Sequence, residues 1–263
     1  MTSIRLPLSI VYSLRFIVLG LFYLPMLVVA SFSFNSAARG MIWEGFSVRW
    51  YAGALSDPSL LAAMRTTGII MLLTTVCSLI GGSVCAYLLA TDKKGLRGAV
   101  LLSLLAPVLT PDLIGAIAFS RLLHFLGANL GTGTIVLSQL FFGVAYVALF
   151  ITMWLRTIRF QDYVLAAESL GASPLRVFLD IFIPLTIVPS LAGAGVVAAI
   201  SLQDFLYAFF CGGSGAKTVS VLLYGMVRFG THTTLHVLYV LIVVLAGCLQ
   251  LVGDGLLERS KAR

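Results

Sequence analysis

The sequence predicts an all-α integral membrane protein with six transmembrane helices, and three observations predict it. The 263-residue chain is 60% hydrophobic and 10% charged, where a soluble domain carries about 25% charged residues. Its mean hydropathy is +1.06, more apolar surface than a fold in water can hide, so lipid must solvate most of it. The apolar residues come in runs long enough to cross a bilayer, about 20 residues each, without the period-two alternation of a barrel strand. The net charge of +7 does not point to nucleic acid, because the basic residues sit between the apolar runs, where topology is encoded.

The first span is expected at residues 16–34. Its basic start and Ala30 also fit a cleaved signal peptide. The length of the run, Pro25 within it and the lack of an A-x-A site favour a retained helix. An outer loop at about 35–65 leads to the second span, 66–90. The third, 99–125, contains Pro107 and Pro111 beside Asp112. Prolines break the hydrogen-bond ladder, so an opened helix lining a cavity is expected there. The fourth span is 134–155, the fifth 188–210 and the sixth 235–257, all within a single membrane domain, 1–263.

Orientation follows from Lys and Arg. With the N-terminus inside, the inner segments hold Arg5, Arg15, Lys93, Lys94, Arg97, Arg156, Arg159, Arg176, Arg259, Lys261 and Arg263, eleven of the 17 basic residues. The outer segments hold Arg39, Arg49, Arg65, Arg121, Lys217 and Arg228. This bias puts both termini in the cytoplasm.

Between spans four and five, "LAAESLGASPLRVFLDIFIP" (165–184) is too polar to span. Asp162 is a suitable N-cap for a helix over 163–170, and Gly171 suits the left-handed position that ends it. Ser173 can cap a second short helix with Pro174 at its first position. Tyr163, Ala166, Ala167 and Leu170 fall at i, i+3, i+4 and i+7, one apolar face with a small, flat middle. Such a face fits a partner's groove, or else the bilayer surface.

Other chemistry is thinly represented. Cys77, Cys85, Cys211 and Cys248 lie in or at the ends of spans, form no C-x-x-C, and read as small apolar helix residues. His232 and His236 can share a helix face, but neither they nor His124 come with a third metal ligand. "GGSGAKT" (212–218) resembles a phosphate loop, but Ala216 stands where Gly must precede the lysine, and no strand comes before it. No Ser/His/Asp set, H-E-x-x-H or dinucleotide fingerprint is visible, so no nucleotide or metal cofactor is assigned to this chain. Asp112 and Asp204 fall within or near the ends of spans three and five. An ionised carboxylate is costly in lipid, so each should face a water path, cap a broken helix or pair with an arginine such as Arg121.

The elbow resembles the EAA loop of bacterial ABC-importer permeases. Ala166, Ala167 and Gly171, followed by Ile181 and Pro184 in the last cytoplasmic loop, carry the likeness. Leu165 stands where the family usually has Glu, and Glu168 is one turn away. "SFN" (33–35), "WEGFSVRWY" (43–51), "TPDLIGAI" (110–117) and "ISLQDF" (200–205) resemble the spermidine/putrescine branch in its second permease type. Related permeases carry thiamine, iron, opines, aminobutyrate or aminoethylphosphonate. The resemblance implies a type I importer permease fold in a bacterial inner membrane. It implies a second permease, two ATPase subunits that bind ATP and Mg, and an extracytoplasmic binding protein. It makes about 160–184 a coupling helix that docks on the ATPase through Tyr163, Leu165, Ala166, Ala167, Glu168, Leu170, Gly171, Ile181 and Pro184. It places Asp112, Ser201, Gln203 and Asp204 on the translocation path, Asp204 foremost, although the family often has a second acid where Gln203 stands.

Two other classes compete. An ion-coupled secondary transporter would show inverted repeats, and none is convincing. A membrane enzyme would need a catalytic constellation, and none is found.

Overall fold

The computed structural model describes residues 8–38, 42–91, 95, 97–228 and 233–244. The expected all-α class is what forms: among these residues the only β feature is an isolated bridge between Asn35 and Phe46. The chain divides into two compact units, 1–61 with 223–263, and 62–222.

In the first unit α1 (Leu8–Phe32) is apolar beyond Arg15, with Pro25 inside it. The chain then turns back on itself around Asn35. Its amide donates to the Ile42 carbonyl (2.8 Å), and its side-chain oxygen accepts from the amides of Ala37 (3.2 Å) and Glu44 (3.0 Å). Phe34 stacks on Phe46 and on Tyr51, with centroids 5.5 and 5.3 Å apart. Trp50 donates to the Asn35 carbonyl at 3.1 Å. The SFN and WEGFSVRWY stretches are therefore two halves of one folded loop. After α2 (Arg49–Ser56), Asp57 caps the next helix. One carboxylate oxygen accepts from the amide and the hydroxyl of Ser59 at 2.8 Å each, and from the Leu60 amide at 3.4 Å. A terminal helix, α12 (Thr233–Val244), covers the start of the expected sixth span; the rest of that span lies outside the described residues, as do Arg5, Arg39, Lys93, Lys94, His232, Cys248, Arg259, Lys261 and Arg263.

The remaining helices are α3 (Pro58–Thr91), α4 (Arg97–Leu109), α5 (Asp112–Phe125), α6 (Thr132–Thr157), α7 (Phe160–Ser169), α8 (Pro174–Arg176), α9 (Ile183–Gln203), α10 (Leu206–Cys211) and α11 (Val219–Arg228). By length and composition four described helices can cross a membrane, starting at Arg15, Pro58, Thr132 and Pro174, and the α4–α5 pair makes a fifth. Two expectations are corrected. Span three, expected as one span opened at its prolines, is broken outright into two helices: α4 and α5 meet at 109°, where Pro111 has no amide hydrogen to continue the ladder. Span five begins and ends earlier than expected, as one helical run, Pro174–Gln203, that absorbs the second half of the elbow and stops before Asp204.

α6 is the axis of the second unit. A Cβ at Gly82 of α3 would lie 2.6 Å from Val147 Cβ, and one at Gly193 of α9 would lie 3.1 Å from Val147 Cα. Both helices press on the same turn of α6 because they lack a side chain there, as small residues allow between helices in lipid. The 212–218 stretch is a turn and an extended connection into α11.

Candidate functional site

The elbow is built as a helix, a left-handed glycine and a second helix. Gly171 has φ +79°. Its amide donates to the Glu168 carbonyl (2.9 Å) and the Ala172 amide donates to the Ala167 carbonyl (3.0 Å), the paired bonds of a Schellman stop. Ser173 accepts from the Arg176 amide at 3.4 Å, with Pro174 behind it in the first helical position. The helix start differs from expectation. α7 begins at Phe160 with Arg159 as its cap residue, and Asp162 lies inside the first turn.

The two faces of α7 also differ from expectation. Phe160, Val164 and Ala167 turn inward, joining a core with Ile151, Leu155, Val177 and Phe182. Ala167 is only 7% exposed and so is not on the outer face. Tyr163, Leu165, Ala166, Glu168 and Leu170 remain outside, and Leu170 at the tip is 89% exposed. The return helix passes through a π-helical stretch, Val177–Phe182, holding half-buried Ile181 just before exposed Pro184. A proline cannot donate to the fourth residue back and crowds its carbonyl, and a widened turn makes the room.

Tyr87 of α3 fastens this assembly, and nothing in the sequence marked it. Its hydroxyl donates to the Pro174 carbonyl at 2.8 Å, and its ring meets Phe178 and Phe182 edge-on at 5.0 and 5.2 Å. Trp154 of α6 likewise donates to the Leu185 carbonyl at 3.0 Å. The available signal was a polar-tipped aromatic near the C-terminal end of each span.

The second constellation surrounds the break after α9. Asp204 has left the helix (φ −62°, ψ 125°). One carboxylate oxygen accepts from the Tyr207 amide (3.3 Å), the other from the Ala208 amide (3.1 Å) and the Gln139 side chain (2.9 Å). It caps α10. Gln139 in turn accepts from Thr74 (3.0 Å) and from buried Ser201 (2.7 Å), and Ser220 donates to the Asp204 carbonyl at 2.6 Å. The far end of α10 is held by Ser120, donating to the Phe210 carbonyl (2.9 Å), and Thr134, donating to the Cys211 carbonyl (2.7 Å). Gln203 is exposed. Asp112 stands exposed in the first turn of α5, and among the described residues its carboxylate has no hydrogen bond or ion pair, with Arg121 or any other. The structure thus brings Ser201 and Asp204 into one network through Gln139, which the sequence did not single out, and leaves Asp112 and Gln203 outside it.

No family model matches the chain. It is 31% identical over 247 residues to the putrescine transport system permease protein PotI of Escherichia coli K12, covering 91% of this chain and 87% of that one. It is 27% identical to the spermidine/putrescine permease PotC of Haemophilus influenzae, covering 88% and 90%. Among solved structures it resembles a bacterial ABC transporter that imports the acidic polysaccharide alginate, with a TM-score of 0.76 at 14% identity over 96% of this chain and 95% of that one. It also resembles the MetNI methionine ABC transporter, with a TM-score of 0.60 at 18% identity over 78% and 98%.

Proposed function

The chain belongs to the ABC-importer permeases that include PotI, and we propose that it pairs with a second permease to form the path for a small cationic solute, a polyamine foremost. It is a membrane transport subunit, not an enzyme. In our reading both termini are cytoplasmic, two ATPase subunits dock on the elbow and hydrolyse ATP, and an extracytoplasmic protein delivers the cargo. The exposed apolar edge of α7, with Tyr163, Ala166 and Leu170 outward on a rigid mount, is the observation that carries the coupling role.

The cargo assignment rests on the relatives. PotI is named for putrescine and PotC for spermidine with putrescine. Fold likeness adds nothing to it, since the alginate importer takes an acidic polymer. Asp112 supports a cation, because an unpartnered carboxylate at a broken span needs water or a positive charge beside it. Asp204 supports it less, its charge being already engaged by three donors.

The test is reconstitution in vesicles with the partner permease, ATPase and binding protein. ATP-dependent uptake of radiolabelled putrescine or spermidine, absent when any one component is omitted, is the expected result. Concentrative uptake by the chain alone and without ATP would refute the reading. ATP-dependent uptake of aminobutyrate or another solute without net positive charge in place of polyamines would keep the importer and change the cargo.

A further inference from the structure

At the elbow end of the second unit lies a cavity of about 450 Å³. Three arginines line it from three elements: Arg97 at the start of α4, Arg156 in the last turn of α6 and Arg159 at the cap of α7. One carboxylate, Asp162, accompanies them. Apolar side chains, Leu89, Leu155 and Phe160, complete part of the lining. Arg159 is the one non-glycine residue with positive φ (51°) among the described residues, a conformation that is uncommon away from glycine and gathers at functional sites.

Basic residues at span ends are ordinary topology signals. These differ in three respects. They converge on one concavity, and among the described residues no guanidinium of the three has an ion pair or hydrogen bond. The cavity wall also contains Thr152, 8% exposed, whose buried hydroxyl has no hydrogen-bond partner. Three cations against one anion, beside an unsatisfied hydroxyl, leave a polar wall whose complement is supplied from outside the chain.

We propose that this cavity holds the phosphodiester headgroup of an anionic phospholipid. Guanidinium forks match phosphate oxygens two at a time. Basic pockets between the ends of membrane helices are where acidic headgroups sit, and the volume falls within the roughly 300–1,000 Å³ of small-molecule sites. The Leu and Phe wall selects a lipid over free phosphate, because glycerol and the first acyl methylenes need an apolar surface that an inorganic ion does not. A bound headgroup would tie the ends of α3, α4 and α6 to the start of α7 and so stiffen the mount of the elbow. The inference rests on the chain spanning a membrane and is independent of the cargo.

The experiment uses the full chain co-purified with its partner subunits in mild detergent. Retained lipid is read by native mass spectrometry, and thermal stabilisation is titrated with phosphatidylglycerol, phosphatidylcholine or inorganic phosphate. Phosphatidylglycerol is expected to be retained and to stabilise, and phosphatidylcholine to do neither. Arg156→Gln with Arg159→Gln removes charge-assisted bonds and should weaken phosphatidylglycerol about tenfold or more, while Arg228→Gln at the end of α11 leaves it unchanged. Equal effects of the two lipids, or an unchanged double variant, would overturn the proposal. Phosphate matching phosphatidylglycerol at equal concentration would overturn the lipid as the source of the anion. Masking of the arginines by the ATPase alone, with no lipid retained, would hand the site to the partner's acidic surface and equally overturn it. Should the double variant fail to insert, Arg97→Gln takes its place, and the comparison of lipids on the unaltered protein decides by itself. Because no arm reads transport, a negative result leaves the importer assignment standing.

Discussion

Three aspartates stand at helix starts, and their surroundings give them different work. Asp204 satisfies three donors with two oxygens. Asn offers one acceptor oxygen and would point its own amide at a donor, so at this position it is no substitute for Asp even as a cap. Asp204→Asn should therefore lower thermal stability by about 1–2 kcal/mol, read as an earlier melting transition in detergent. A variant as stable as the parent would show the carboxylate is not needed as a cap. Asp112 lacks such partners. Asp112→Asn should leave the melting transition in place and reduce polyamine uptake severalfold; unchanged uptake would remove Asp112 from the path. Asp57 is the third. Its hydrogen bonds from the Ser59 hydroxyl and amide hold its carboxyl below the ordinary Asp value. A lowered folded-state value means the stabilisation is present above the ordinary value and is lost as pH falls through the lowered one. The cap at the start of α3 should thus fail only in strong acid. Asp57→Ala should cost about 1 kcal/mol at neutral pH and abolish that acid-dependent step. The sequence marked Asp112 and Asp204 as acids at helix boundaries and did not single out Asp57. It could not say which was engaged, because the decisive partner of Asp204 is Gln139, 65 residues away.

At the scale of the element, the elbow was legible in its turns and misread in its faces. Gly171, Ser173 and Pro174 each have a local backbone reason, which sequence carries. Facing is a tertiary property. With Phe160, Val164 and Ala167 on one side and Tyr163, Ala166 and Leu170 on the other, α7 is apolar along two stripes, and periodicity alone does not say which meets the core. The correction separates two kinds of variant. Leu170→Asp, at an 89% exposed tip, should leave insertion and melting unchanged and release the ATPase on co-purification. Ala167→Leu overpacks a buried site and should cost about 1–3 kcal/mol in stability first, with ATPase loss following from it. Gly171→Val forces a β-branched side chain to φ +79°, a strain of about 1–3 kcal/mol, and should loosen the ATPase by changing the angle between the two arms. Normal ATPase association in both Leu170→Asp and Gly171→Val would dissociate the elbow from coupling.

At the scale of the whole molecule, hydrophobic run length located the long apolar helices among the described residues but not their interruptions. Pro111 marked one break. The other, after Gln203, has neither proline nor glycine at it. It exists because an acid, two backbone amides and a glutamine satisfy one another there, which no local pattern encodes. That network is also what links α3, α6, α9 and α10, through Thr74, Gln139, Ser201 and Asp204. In lipid such bonds average about 0.6 kcal/mol each by mutant cycles, less than the cost of a fully orphaned group. Gln139→Leu should then cost about 2 kcal/mol, from three lost bonds that leave the buried hydroxyls of Thr74 and Ser201 without their acceptor, while Asp204 keeps the Tyr207 and Ala208 amides. If the four helices are held as a unit by this residue, Gln139→Leu and Asp204→Asn must not add. The double variant should melt close to the worse of the two singles, with a coupling of about 1–2 kcal/mol in the cycle. Strict additivity would mean that Gln139 and Asp204 act independently. The break in span five would then be maintained by the backbone caps of α10 alone.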